Sequence, residues 1–433
     1  MFLLVDMDAF FASVEQTQHP HLRGRQVIVC GDPGRRGVVT AASYEARPFG
    51  VKAGMPLQEA RRLCPQAHYV EGNPEKYVAL SLQLLDLYSG FTPDVEPFSV
   101  DEAFLGLQGS RDSYQQATEV AHAIQCAIDE RFQLGATIGV GPNKLIAKMA
   151  SGVKKPRGIT VLDVAGFQRH FWPLDVRELW GVGPQLASRM RSLGIQTVGE
   201  LAHAPAEPLR AAFGNIGPQL REAAHGHDDT PLVPYHRGVE AKSMGHEVTL
   251  SADCDDAVHL EGTLLRLSDQ VARRLRTEAY WGRTVCLKLR DARFVTRLRQ
   301  TTLRQATADH PLIYESALQL LRALWDGGPV RLIGVSMSNL ARTHREEQAE
   351  LFTAHDRQGR LREALDRVRD RLGESSLVPA GTLAHRSRVG HVPFGAISNR
   401  VTARPGAGSD QALRPRDGSK TPPQKRRPPW PKS

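Results

Sequence analysis

The chain opens on a continuous apolar run, Phe2 to Val5, which predicts a strand buried on both faces. Asp6 and Asp8 stand at its end, with Phe10 and Phe11 hard against them. QVIVCG (26–31) and GVVTAA (37–42) read as further strands, PLQEARRLC (56–64) as a short helix and HYVEG (68–72) as another strand. Asn73-Pro74-Glu75 opens a helix, because Asn can cap and Pro suits the first helical position; Leu80, Leu84 and Leu87 supply its apolar face. DVEPFSV (94–100) and AFLGL (103–107) predict a hairpin with Asp101 and Glu102 where the strands meet. A helix from 113 to 132, a strand GATIGVG (135–141) and a helix from Asn143 complete a mixed α/β unit with an antiparallel pair inside it.

After about residue 165 the texture changes to short helices punctuated by glycine. LWGVGPQLASRMRSLGI (179–195) and FGNIGPQLREAAHG (213–226) share the order turn, Gly-Pro, helix. Two such units suggest helix-hairpin-helix elements, whose turn amides can hold a backbone phosphate, although glycine-rich turns also serve plain packing. TPLVPYHRG (230–238) reads as a linker. Beyond it, Leu260, Leu264, Leu267, Val271 and Leu275 recur at helical spacing, followed by strands RTVCLKLR and RFVTRLR, a helix around Leu312 to Trp325 and a strand RLIGVSMSNL. The implied order is β-α-β-β-α-β. Past Arg342 come QAELF (348–352), an amphipathic helix carrying Leu361, Leu365, Val368 and Leu372, and a Pro/Lys/Arg-rich tail that cannot bury a core.

With 433 residues, 41% of them apolar and 24% charged, the chain has the material for several globular domains. No basic leader precedes the first strand and no apolar run approaches about 18 residues, so neither secretion nor membrane insertion is expected. The five cysteines are scattered without a C-x-x-C pair, which points away from a disulfide framework or thiolate metal site and towards a reducing cytoplasm. The net charge of +9 is unevenly placed: residues 401–433 hold eight Lys/Arg against two Asp. Residues 273–304 carry ten Lys/Arg against two acids, either the footprint of a polyanion partner or a solvated face.

The carboxylates carry the candidate chemistry. If Asp6 ends a strand beside the hairpin bearing Asp101 and Glu102, three acids converge at one sheet edge, where their repulsion calls for cations. Hard divalent ions suit an all-oxygen site, and a pair of them can activate an attacking oxygen and steady a leaving one. Turn capping or pairing with nearby bases is the alternative, and spacing does not choose between the two.

DMDAFFASVE (6–15), TAASYEARPFGVKAGMP (40–56), SVDEAFL (99–105) and GVGPNKLIAKMASGVKKPRGI (139–159) together resemble the Y-family translesion DNA polymerases, most closely their bacterial polymerase IV branch, over residues 1–342. The resemblance implies an α+β fold of right-hand polymerase architecture. In it, a palm (1–10 and 74–164), fingers (11–73), a helix-hairpin-helix thumb (165–229), a linker (230–239) and a β-α-β-β-α-β little finger (240–342) precede a clamp-binding linker with its amphipathic helix (343–400) and a disordered basic tail (401–433). It implies that Asp6, Asp101 and Glu102 hold two Mg²⁺ ions, with Mn²⁺ as an alternative, and that the Met7 carbonyl completes one shell. Asp8 matches the motif but is not a usual ligand. The resemblance places Phe10 and Phe11 on the nucleotide side of the motif and implies that Phe11 is the steric gate beneath the incoming sugar; core packing is the alternative for Phe11 and competes more strongly for Phe10. Tyr44, Arg47 and Lys155 match the residues that hold the triphosphate, whereas Lys144 and Lys148 are left outside the site. QAELF resembles the bacterial sliding-clamp peptide Q-x-x-L-F, with Gln348, Leu351 and Phe352 as anchors. The expected partners are primer-template DNA, dNTPs and the clamp, and the expected product is a monomeric, cytoplasmic, error-prone polymerase. A catalytically silent DNA-binding relative, or a nuclease or cyclase on a related palm, fits the acids and Phe11 less well.

Overall fold

The computed structural model describes residues 1–108, 113–238, 240–342, 354–373 and 376–380. β1 (Phe2–Met7) leads into α1 (Phe10–Gln18), β2 (Val27–Cys30), β3 (Val39–Ala42), α2 (Leu57–Leu63) and β4 (His68–Glu71). β2 pairs antiparallel with β3 and parallel with β4, making a small sheet of three strands. Next come α3 (Pro74–Ser89), β5 (Val95–Pro97), β6 (Glu102–Gly106), α4 (Tyr114–Phe132), β7 (Ala136–Gly141), α5 (Lys144–Val153) and β8 (Ile159–Val161). The five-stranded sheet runs β5-β6-β1-β7-β8, so the first strand of the chain is its centre, antiparallel to both neighbours.

A central strand with helices on both faces must be apolar on both. Leu3 and Val5 pack with Ile124 and Ile128 of α4 on one face, while Leu4 packs with Phe104 and Ala147 on the other; all seven are fully buried. Each such side chain contributes on the order of 1.5–3 kcal/mol. The predicted cap forms: Asn73 accepts from the Lys76 amide at 3.2 Å, with Pro74 at the first helical position. Asn143 likewise accepts from the Ile146 amide at 2.9 Å to start α5.

α5 lies so close to the sheet that only glycine fits beneath it. A Cβ on Gly139 would stand 2.0 Å from the Ala147 carbonyl oxygen and 2.4 Å from the Ser151 nitrogen, both backbone atoms that cannot turn aside. Gly139→Ala is expected to destabilise by about 3 kcal/mol or more, read as a lower denaturant midpoint. Gly152→Ala, inside α5 with nothing within 4 Å, should instead be neutral or stabilising. Equal effects of the two would refute this packing account.

Residues 164–225 form α6 (Val164–Phe171), α7 (Pro184–Ser192), α8 (Val198–His203), α9 (Ala206–Phe213) and α10 (Ile216–His225) around Phe167, Met190, Leu201 and Leu209. The first Gly-Pro starts a helix as expected, with Gly183 as cap and Pro184 first. The second does not, because α10 begins at Ile216 and Gly217-Pro218 lie within its first turn. Gly217 serves close packing: a Cβ there would meet the Leu209 carbonyl oxygen of α9 at 2.4 Å. The expected linker is fastened to the sheet, where Glu96 of β5 accepts from the Val233 amide at 2.8 Å; just before it, Asp228 accepts from the Leu145 amide of α5 at 3.0 Å.

The last unit contains β9 (Ser243–Cys254), α11 (Ala257–Thr277), β10 (Trp281–Asp291), β11 (Thr296–Thr307), α12 (His310–Leu324) and β12 (Val330–Ala341). Its antiparallel sheet runs β11-β10-β12-β9, and Val285, Leu287, Leu289, Ile333 and Val335 face the helices. RFVTRLR is not one strand. Asp291 accepts from the amides of Arg293 and Val295, both at 2.9 Å, making a turn with Phe294 in the left-handed region, and β11 runs instead through the polar segment to Thr307.

The basic stripe also divides. Strand alternation sends Arg297 to Asp326 (3.1 Å) and Arg299 to the Ala323 carbonyl (3.0 Å) at the end of α12. Arg273 and Arg276 of α11 bond Asp366 of α13 (Ala354–Leu372), which also holds Arg362 against Asp309 (2.8 Å) and Arg369 against Asp269 (2.9 Å). Four of the ten cations of the run are thus engaged by other parts of the fold. Among the described residues no helix is long and apolar enough to cross a membrane.

Candidate active site

Strand pairing assembles the acids. Asp6, at the end of β1, is the register partner of Glu102 at the start of β6, and the Met7 amide donates to the Asp101 carbonyl at 2.9 Å. Three acids from two segments distant in sequence therefore meet at one end of the central sheet. Asp6 is only 7% exposed, and Asp101 and Glu102 are half-buried.

This crowding perturbs all three. Burial pushes the Asp6 carboxyl up to about 7, with Lys155 pulling it down and Glu102 pushing it up. Burial also raises Asp101, against the hydrogen bond it accepts from the Ser99 hydroxyl. Glu102 is pushed up by burial too, yet its hydrogen bond with Asp6 and the Lys148 ammonium outweigh this and hold it below the usual carboxylate range. Lys155 reaches the second Asp6 oxygen at 2.6 Å, and Lys148 forms an ion pair with Glu102. Among the described residues no three acidic, His or Cys side chains form a ready-made metal cage. The donor chemistry nevertheless fits a hard divalent ion: oxygen-only, anionic, and compensated here by two lysines that are part-exposed and able to swing out to solvent.

A second group lies beside the first. The Tyr44 hydroxyl donates to Asp8 at 3.2 Å, and the Arg47 guanidinium lies 4.1 Å over the Tyr44 ring while its Nε donates to the Ala42 carbonyl at 3.2 Å. Burial, then the Asp8 charge, push the Tyr44 hydroxyl up to about 12, so it remains a neutral donor. Asp8, 4% exposed, also accepts from the Thr137 hydroxyl at 2.7 Å and the Arg157 amide at 2.8 Å. It thereby ties Tyr44 to β7 and to the turn that carries Lys155. Its place in the D-x-D pair was the available signal, but its partners come from three separate segments.

Phe11 is partly exposed on the first turn of α1. Phe10 is 3% exposed within the main core, so its ring packs inward and is not presented to a ligand. Lys148, left out of the site on sequence grounds, belongs to it: four residues after Lys144, it lies one helical turn further along the same face of α5. Lys144 is instead spent on Glu96 at 2.8 Å. Gln348, Leu351 and Phe352 lie outside the described residues.

Comparison with known proteins accounts for this assembly. The impB/mucB/samB family matches residues 5–152 and the family's C-terminal domain matches residues 241–351. A DNA polymerase IV of Pelotomaculum thermopropionicum is 42% identical over 89% of this chain and 97% of its own length. One of Moorella thermoacetica is 43% identical over 88% of this chain and 97% of its own. Among solved structures, a Y-family polymerase chimera of Dbh and Dpo4 is 27% identical, with a TM-score of 0.70 over 79% of this chain and 99% of that one. An insertion ternary complex of Dbh DNA polymerase, also 27% identical, gives 0.55 over 79% and 99%. With both family models matched and these relatives covered over nearly their whole length, the chain belongs to the Y family of DNA polymerases, in its polymerase IV branch, and is a DNA-directed DNA polymerase.

Proposed function

We propose that the protein adds deoxynucleotides to primer ends opposite damaged template bases, error-prone and distributive, in DNA repair and damage tolerance. The convergence of Asp6, Asp101 and Glu102 at the end of the central sheet, within reach of Lys155, carries this reading. Those carboxylates, with the Met7 carbonyl, would hold two Mg²⁺ ions, or Mn²⁺. When bound, such ions supply activation of the attacking oxygen and charge neutralisation at the leaving one.

The chain's own residues do the rest. Arg47 offers a planar fork, Lys155 a mobile point charge and Tyr44 a neutral hydroxyl, a set suited to orienting a triphosphate and offsetting charge on the departing pyrophosphate. Lys155, paired with Asp6 as it stands, can exchange that partner for phosphate. Phe11 would lie under the sugar and exclude a 2′-hydroxyl. Residues 1–10 with 74–164 act as palm, 11–73 as fingers, 165–229 as thumb and 240–342 as little finger, and the relation to a ternary complex of a family member supports DNA and nucleotide binding between them. We place the protein in the cytoplasm as a monomer.

Primer extension with dNTPs and Mg²⁺ tests the reading. Short, distributive products are expected; no product with either Mg²⁺ or Mn²⁺ from a protein that still binds primer-template would leave a silent DNA-binding relative.

QAELF, following the last strand and preceding α13, is proposed to dock on the sliding clamp through Gln348, Leu351 and Phe352. Tethering would raise the local concentration at primer ends, often by 10² or more in effective terms. Leu351→Ala/Phe352→Ala is expected to remove stimulation by the clamp while leaving clamp-free synthesis intact. Equal stimulation of variant and wild type would exclude the assignment.

A further inference from the structure

Glu15 is a buried acid that the reaction does not use. It is 2% exposed, yet three polar groups converge on it: the Tyr77 hydroxyl donates to it at 2.5 Å, the Lys76 ammonium pairs with it at 2.7 Å, and His19 approaches at 3.5 Å. Burying a carboxylate is costly unless its oxygens are satisfied, so this arrangement needs a reason beyond solubility.

Tyr77 supplies one. Its ring, 3% exposed, lies stacked on Phe11, with centroids 4.3 Å apart and planes 19° from parallel. Phe10 flanks the pair at 5.6 Å from Phe11 and 6.3 Å from Tyr77, tilted to both. Phe11 and Glu15 are one turn apart on α1 and face the same way, whereas Tyr77 and Lys76 come from α3. The helix that carries the gate ring therefore also holds the far end of the ring behind it. Burial and the Glu15 carboxylate push the Tyr77 hydroxyl well above the ordinary tyrosine range, so it stays a donor.

We propose that Glu15 is a positioning residue for sugar selection, fixing the Tyr77 ring as a rigid backing that prevents Phe11 from receding when a 2′-hydroxyl presses on it. The inference rests on the gate reading of Phe11. A deoxyribose needs no displacement of Phe11, so softening the backing leaves dNTP use nearly unchanged. A ribose needs the ring to give way, so the same softening admits rNTPs. The effect is confined to the ratio of the two, which a loss of general stability would not move.

The experiment is single-nucleotide insertion by the full chain, comparing kcat/KM for a dNTP and the matching rNTP. Tyr77→Phe keeps the ring and loses only its bond to Glu15; Glu15→Ala removes the anchor; Glu15→Gln keeps an acceptor for the tyrosine. Tyr77→Phe and Glu15→Ala are each expected to relax discrimination roughly five- to tenfold, with dNTP kcat/KM within about threefold of wild type. The double variant should show no more than either single one, and Glu15→Gln should restore most of the discrimination. Phe11→Ala is the control. Wild-type discrimination in Tyr77→Phe and Glu15→Ala, alongside loss of discrimination in Phe11→Ala, would overturn the role of Glu15 and leave the gate standing. Unchanged discrimination in Phe11→Ala as well would overturn both. Should Glu15→Ala not fold, Tyr77→Phe and Glu15→Gln decide the matter.

Discussion

Asp101→Ala/Glu102→Ala is expected to abolish primer extension, lowering nucleotide addition by about 10³-fold or more, the scale seen when charge-stabilising groups are removed from a reaction centre. The change deletes two of the three carboxylates that the β1–β6 register brings together and leaves Asp6 with Lys155 alone. Stability should hardly move, because the two deletions pull in opposite directions. Burial raises the Asp101 carboxyl, so at neutral pH its charged form weakens the fold and its removal helps. Glu102 is held low by Asp6 and Lys148 despite its burial, so its removal costs something. Lys148, left without its partner, can extend into solvent. A net change within about 1 kcal/mol is therefore expected. Primer extension read beside a denaturant midpoint checks both halves: lost synthesis with a wild-type midpoint supports the metal-holding role. Synthesis within tenfold of wild type would remove Asp101 and Glu102 from the chemistry.

How much of this site could be read in advance depended on whether its signal was local. A strand that is apolar on both faces and ends in acids is a local pattern, so β1 and its carboxylates were legible from Phe2 to Asp8. So were the Asn73 cap and the helix start at Asn143, each set by residues within one helical turn. The Asp6–Glu102 pairing depends on register between segments almost a hundred residues apart, and the family motifs supplied what spacing could not. The roles of Asp8 and Lys148 depend on partners from other segments, which no pattern along the chain displays. The basic run at 273–304 was legible only as a charge count, for a related reason. Charge counts ignore strand alternation, which turned Arg297 and Arg299 onto the end of α12 while α13 occupied Arg273 and Arg276. β11 was cut short because its second half is exposed and polar, so no apolar alternation marked it.

Phe11→Ala carries the second large effect. Phe11 stands at the start of α1, three residues beyond Asp8, where β1 delivers the chain from the acid cluster. On the proposed reading, a nucleotide whose phosphates lie towards Tyr44 and Lys155 would bring its sugar over this turn. Discrimination against ribose then rests on the space taken by one aromatic ring, not on a hydrogen bond to a missing group. Replacing that ring by a methyl opens the space without leaving a polar partner unsatisfied, so rNTP insertion should rise by about 10²-fold, the range that packing alone distinguishes. dNTP insertion should fall only modestly, since the deoxyribose loses an apolar surface but keeps its phosphate contacts. The cost in stability should also be small for a ring that is partly exposed, although Tyr77 loses its stacking partner. The measurement is the ratio of kcat/KM for rNTP and dNTP at a single template position. A ratio unchanged from wild type would return Phe11 to the core and leave sugar selection without a residue.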